Sequence, residues 1–253
     1  RFHLSPNGDL KVGRTETSSS VSSYNDIVNA SIGTGNLYSY FPFDYNSSTI
    51  SSPVPNQGSN ATGLTVSVSG GGASATASTT KKIGTTSLSV NSGYTGTAVV
   101  KLYALNSGTE SSPTEFSIAF WARIDNTNTN VEQLLVAQAD ATRGFVTFVK
   151  NRKIFFCGYN NGSSGDYFSL SSSTITNNTF THVVADFGDD GDEINLYING
   201  SSVASNSDGF SISNFNNTET QIGNNHTQLY YATAASTINS RNAGATQFDG
   251  FID

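Results

Sequence analysis

The chain has no methionine, one cysteine and one tryptophan in 253 residues. A lone cysteine excludes an internal disulfide. Charge is scarce: Asp, Glu, Lys and Arg make up 12% of the residues, against about 25% in ordinary domains. The formal net charge is −7, and Lys81-Lys82 is the longest basic run. A phosphate-binding surface needs clustered Lys and Arg, so nucleic acid is excluded as a partner. No apolar stretch approaches the roughly 18 residues of a spanning helix, so membrane insertion is not expected. With no Met and an opening Arg1, the start of the polypeptide is expected to lie upstream.

Polarity comes instead from 38 Ser, 29 Thr and 27 Asn. These short side chains compete with helical backbone for hydrogen bonds and suit turns and strands. The 16 Phe and 11 Tyr favour strands and supply core mass. Phe116–Ile124 has the clearest period: Phe116, Ile118, Phe120, Ala122 and Ile124 share one face, while Ser117, Ala119, Trp121 and Arg123 share the other. Strands are also read at 64–68, 87–90, 98–105, 131–137, 144–149, 153–159, 180–187 and 193–198. Asn199-Gly200 then makes a two-residue hairpin turn. Residues 46–63 and the Gly/Ala/Ser/Thr stretch 70–80 read as loops. No segment carries a helical period. Many short strands divided by turn residues imply a sandwich or barrel.

Residues 1–36 differ from the rest. A small hairpin is expected around Asn7-Gly8, followed by a hydroxyl-rich linker, and one large domain should fill 37–253. The phrase from Leu4 to Thr15 resembles one that recurs in phage virion appendages.

The larger resemblance runs from Tyr40 to Asp253. "YFPFD" (40–44), "KIGTTSLSV" (82–90), "EFSIAFWARID" (115–125), the hairpin pair "TFTHVVADFGDDGDEINLYINGSSVAS" (179–205), "QIGNN" (221–225) and "FDGFID" (248–253) are similar, in order, to the conserved strands of laminin-G-like domains. That is the laminin-G-like branch of the concanavalin-A-like jelly rolls. The resemblance implies an all-β fold, a two-sheet antiparallel β-sandwich. Thr181, or Phe180 in a shifted register, stands where the family usually has Trp. The family pattern also continues past "FDGFID" by one strand, which implies further residues or a strand from another chain.

Catalytic chemistry finds little support. The fold's glucanases carry alternating carboxylates on one strand face, spaced for an acid and a nucleophile. Here Asp189, Asp190, Asp192 and Glu193 crowd a hairpin tip instead. Cys157, in an apolar run, reads as a small buried hydrophobe. His182 lies mid-strand, and His3 and His226 lack a nucleophile context. The run from Asp186 has Gly188 and Tyr197 where an EF-hand needs oxygens, so that motif is excluded.

Two sites remain as expectations. The resemblance points to a calcium site at the sandwich rim, formed by Asp44 and Asn46, or Asn60, with Asp249 and Asp253. Sugar contacts use aromatic faces and planar amides, and these residue types occur at Tyr159, Asn160 and Tyr167 around a Gly-rich loop. They recur at Asn225, Tyr230 and Tyr231 in a long loop of about twenty residues. The expected function is non-enzymatic: a homo-oligomeric virion surface or appendage protein whose lectin-like head meets a host glycan or neighbouring virion proteins. The alternative is a secreted carbohydrate-binding or adhesion module of a larger bacterial protein.

Overall fold

The computed structural model describes residues 43, 54–55, 65–69, 75–84, 86–90, 99–102, 116–125, 132–139, 143–160, 166–188, 193–210, 220–223, 229–234, 237–241 and 248–253. In chain order the strands are Val54–Pro55 (β1), Thr65–Ser69 (β2), Ala75–Ser78 (β3), Ser87–Val90 (β4), Val99–Leu102 (β5), Phe116–Ile124 (β6), Gln133–Ala139 (β7), Arg143–Lys150 (β8) and Lys153–Asn160 (β9). They continue with Asp166–Ser171 (β10), Phe180–Gly188 (β11), Glu193–Ile198 (β12), Ser201–Asn206 (β13), Thr220–Ile222 (β14), Leu229–Ala234 (β15), Thr237–Arg241 (β16) and Gly250–Ile252 (β17). No helix occurs among the described residues.

The strands build an eight-stranded sheet, β1-β2-β5-β14-β7-β8-β9-β10, and a seven-stranded sheet, β13-β12-β11-β6-β17-β4-β3. β15 and β16 form a separate hairpin. Neighbours in both sheets pair antiparallel, β6 with β11 over eight residue pairs. The fold is the expected two-sheet sandwich.

The alternation read in β6 is what builds the core. Phe120, Ala122 and Ile124 are buried, and Phe116 and Ile118 pack against the same cluster. β11 repeats the pattern, with Val183, Ala185 and Phe187 inward. Phe145, Val149, Ile154, Phe156, Phe168 and Leu170 meet them from the eight-stranded sheet. Rings join the layers: Phe116 stacks on Phe187 at 5.3 Å between centroids and lies 4.8 Å from Phe145. Phe168 meets Phe156 and Phe210 edge-on at 4.9 and 5.0 Å. Each such ring buries on the order of 150–250 Å² and gains edge-to-face attraction besides.

Turns set the register. Asn199 and Gly200 have φ of 50° and 80°, the left-handed pair that a two-residue hairpin requires. Asn151 and Arg152 do the same between β8 and β9, with φ of 49° and 60°. Arg152 is an unexpected residue for that backbone region. Its guanidinium donates to the Ile175 carbonyl at 3.1 and 3.3 Å, and Ile175 N–H donates to the Arg152 carbonyl at 2.8 Å. In β7 the register shifts between Leu134 and Val136. The Thr147 hydroxyl fills that gap, accepting from Val136 N–H at 3.0 Å and donating to Val136 O at 3.1 Å.

Three expectations need correction. Residues 46–63 are not all loop, because Val54–Pro55 pairs with β2. The Gly/Ala/Ser/Thr stretch is not all loop, because Ala75–Ser78 pairs with β4 as an edge strand. The long loop after β14 contains the β15–β16 hairpin. Residues 1–36, with the Asn7-Gly8 turn, lie outside the described residues.

Gly158 carries a clear packing constraint. A Cβ there would lie 2.2 Å from Cε1 of Phe168, whose ring occupies the space. Gly158→Ala is expected to cost about 1–3 kcal/mol by overpacking, read as a lowered urea midpoint at unchanged m-value. Phe168→Leu should then cost less in the Gly158→Ala background than in the parent, because the two residues compete for one volume.

Candidate functional site

Both faces of the eight-stranded sheet are apolar around β7, β8 and β9. Leu134, Ala137, Val146, Phe148, Cys157 and Tyr159 point away from the main core, yet none is more than 2% exposed. They form a second cluster, with Phe155 and Tyr167 packed on it. Cross-strand register orders this face in rows: Phe148 beside Phe155, Val146 beside Cys157 and then Ser169, Gly144 beside Tyr159 and then Tyr167. The Phe148 and Phe155 rings stack at 4.8 Å. β15 lies against β8, β9 and β10.

The expected sugar-binding residues are therefore partly brought together. Tyr159 and Tyr167 are direct cross-strand partners, and Asn160 faces Asp166 where that hairpin ends. Tyr230 and Tyr231 lie in β15, the strand laid over this region. Asn225 is outside the described residues. One correction concerns exposure: Tyr159 is 2% exposed and forms the floor of this face, Tyr167 is its half-buried member, and Asn160, 7% exposed, is the next residue of the strand and so points to the opposite face. The sequence placed Tyr159 at the end of the strand 153–159, beside the Gly-rich loop, and gave no sign that both faces of that strand are covered.

The expected calcium set is not assembled by the described residues. Asp249 and Asp253 flank β17 at opposite ends, about 13 Å apart at the rise of a strand, too far to share one ion. Asp253 Oδ2 instead accepts the backbone N–H groups of Lys82 and Ile83 at 2.7 and 2.8 Å. Asp249 N–H donates to Gln133 Oε1 at 3.1 Å, and its carbonyl accepts from Asp125 N–H at 3.0 Å. Phe43 O accepts the Thr86 hydroxyl at 2.6 Å, at the start of β4. That is nearer the Asp253 end of β17 than the Asp249 end, since Val90 pairs with Gly250. Asp44, Asn46 and Asn60 lie outside the described residues. Among the described residues no group of three or more His, Cys, Asp or Glu converges as a metal site.

The outer face of the seven-stranded sheet is dressed differently. His182 and Trp121 are cross-strand partners with rings 4.8 Å apart. Lys82 Nζ sits 4.8 Å from the Trp121 ring centre, and the Arg123 guanidinium 5.1 Å from that of Phe251. Asn199 closes the ladder beyond His182, accepting its N–H through Oδ1 at 2.9 Å and donating its own N–H to the His182 carbonyl at 2.9 Å. Asp186, four residue pairs along the β6–β11 ladder from His182, accepts the Ser117 hydroxyl. Glu193 is exposed at the start of β12, and Asp189, Asp190 and Asp192 lie outside the described residues. Burial pushes the Cys157 thiol up to about 12, with only a Ser169 Oγ contact at 3.4 Å opposing it. A thiol so held is not a nucleophile at neutral pH.

Two facing antiparallel sheets with a jelly-roll strand order, closed over aromatic rings, define a lectin-like sandwich. The family model of the concanavalin A-like lectin/glucanases superfamily, in its laminin-G-like form, matches residues 95–253, and the chain belongs to that superfamily. A search of curated proteins finds no match. Among solved structures, the chain resembles the binding domain of Paraclostridial mosquitocidal protein 1 (TM-score 0.56, 17% identity, 87% of this chain and 48% of that one). It resembles domain 4 of AbnA, a GH43 extracellular arabinanase from Geobacillus stearothermophilus, solved with arabinotriose (0.53, 15%, 86% and 89%). A third is the receptor binding domain of a botulinum neurotoxin C/D mosaic serotype (0.55, 15%, 87% and 48%). The chain thus spans about half of each toxin domain and nearly all of the arabinanase domain. At these identities the likeness is one of fold.

Burial lowers the His182 pKa from its ordinary 6.5. The unfolded chain therefore takes up this proton first as pH falls. Stability contributed by neutral His182 is full above about pH 6.5 and is lost as pH drops from there through the folded-state pKa. Urea midpoints measured between pH 7.5 and 5 should fall less steeply in His182→Gln than in the parent. Trp121, the sole tryptophan, should report the same titration, with parent emission changing below pH 6.5 and the His182→Gln emission staying level.

Proposed function

We propose that the chain is a non-catalytic glycan-binding module, and that sugar is met at the β9–β10 end of the eight-stranded sheet. One observation carries this reading. Tyr167 is half-buried beside Tyr159, and β15, with Tyr230 and Tyr231, lies over the same two strands. Two segments some sixty residues apart, each with the aromatic and amide chemistry that sugars use, thereby become neighbours. The fold shared with an arabinanase domain solved with arabinotriose supports the same class of ligand.

A hydrolytic role has less behind it. Glycoside hydrolysis needs two carboxyl groups at a fixed separation across the scissile bond. Among the described carboxylates, Asp186 accepts the Ser117 hydroxyl, Glu132 pairs with Lys150 at 2.7 Å and Asp125 with Arg123 at 3.0 Å. These are structural partners.

The narrower setting is a virion surface appendage, with a secreted adhesion module as the alternative. It rests on the phrase from Leu4 to Thr15 and on the charge-poor, hydroxyl-rich composition. A homo-oligomer fits that setting. Light scattering of the native protein checks it, and a monomer would count against it.

On a glycan array that includes arabino-oligosaccharides, binding is expected without release of reducing sugar. Tyr167→Ala should weaken it about tenfold, or ~1.4 kcal/mol, while Tyr197→Ala, on the other sheet, leaves it unchanged. Equal binding by parent and Tyr167→Ala would remove the site. Sugar release abolished by Glu193→Gln would make the chain an enzyme.

A further inference from the structure

The chain leaves the eight-stranded sheet after β14 and enters the seven-stranded sheet at β17. Between Gly223 and Phe248 it makes a closed excursion, because Phe248 N–H donates to the Gly223 carbonyl at 3.3 Å. Both ends are anchored. Phe248 is fully buried, and Gly223 N–H donates to the Leu135 carbonyl at 2.9 Å. Within the excursion stands the β15–β16 hairpin. Among the described residues its strands pair with each other and with neither large sheet. A lone two-stranded hairpin is marginal in water. Its order must then come from resting on the face beneath it, the β8–β10 rows that hold Cys157, Tyr159 and Tyr167.

We propose that the β15–β16 hairpin is a flap that lifts off the eight-stranded sheet as a unit, uncovering the Tyr159–Tyr167 face while both sheets stay folded. Among the described residues, no ladder hydrogen bond of either sheet has to break for this movement. The base bond between Gly223 and Phe248 keeps the strand order of the sandwich intact while the hairpin is away. Elements with few backbone ties to the rest open at a lower free energy than the whole domain. Opening does expose apolar side chains, so the closed form dominates. The result is a site whose aromatic floor is hidden at rest and reached through a minor open state. The flap stands apart from the glycan reading, since it can be tested with no sugar present.

Cys157 is the only cysteine, lies on the covered face and is 0% exposed, so it reports opening. Native protein is incubated with iodoacetamide at pH 8 in increasing urea below the unfolding transition, and labelling is followed by mass spectrometry. A flap predicts labelling at least about tenfold faster than global unfolding allows, with shallow urea dependence. Labelling that tracks global unfolding with its full m-value would overturn the proposal. A second variant joins Gly223 to Phe248 by a short Gly-Ser bridge in place of 224–247. It should keep its strand circular dichroism and label Cys157 without delay. Loss of the folded spectrum would show the hairpin to be part of the sandwich's cooperative unit. A folded variant with Cys157 still protected would show that something else covers the face. Either result counts against the flap.

Discussion

The structure depends on aromatic rings from two sheets sharing one layer. Sheets pack about 10 Å apart, and their inner side chains must interdigitate. Phe168 can enter that layer only because its cross-strand neighbour is Gly158. Its ring then reaches Phe156 on its own sheet, Phe187 on the opposite one and Phe210 after β13. The register of β9 against β10 is thus set by one missing side chain. A slip of one residue would turn Phe168 outward and Tyr167 inward. The β8–β9 turn guards the same register from the other side, through Arg152 and its bonds to Ile175.

From this constraint follows the character of the outer face. With β9 fixed, Phe155, Cys157 and Tyr159 must point outward together, and β8 places Val146 and Phe148 beside them. A sheet built this way is apolar on both sides, and something has to cover the second. The β15–β16 hairpin is part of that cover. Gly144 completes the arrangement as the cross-strand neighbour of Tyr159, adding no side chain beside the phenol ring.

Legibility in the sequence followed the same division. β6 and β12 were read to the residue, and β11 to within one, because one face of each is core and the other is solvated. The Asn199-Gly200 turn was equally plain, since left-handed backbone needs those residue types. β3 was missed because its Ala, Thr and Ser side chains carry little apolar signal at an edge. β10 was missed because its outer face alternates Tyr167 with serines while only Phe168 and Leu170 face the core. For the candidate site, the sequence placed Tyr159 at the end of the strand 153–159 beside a Gly-rich loop, but an apolar run such as that of β9 gives no sign that both of its faces are covered. Within the expected calcium set, Asp249 and Asp253 look close in sequence but an extended strand holds them apart, and Asp44 and Asn46 lie outside the described residues.

The two outer faces differ in how their rings are satisfied, and this bears on where a ligand can act. On the seven-stranded sheet, Trp121 has His182 on one side and Lys82 over its ring, while Phe251 has Arg123 over its own. Such cation–π contacts are worth about 0.5–1 kcal/mol at exposed sites, and a sugar stacking on those rings would first displace the cations. The Lys82 backbone is in turn held by Asp253, so that cover is built into the rim. On the eight-stranded sheet, Tyr167 packs on the cluster that holds Tyr159, and β15 lies against β8, β9 and β10. The cover there is a hairpin that, among the described residues, shares no ladder bonds with the sheet. A ligand that stacks on tyrosine competes with a surface contact on this face, and with a fixed hydrogen-bonded clasp on the other.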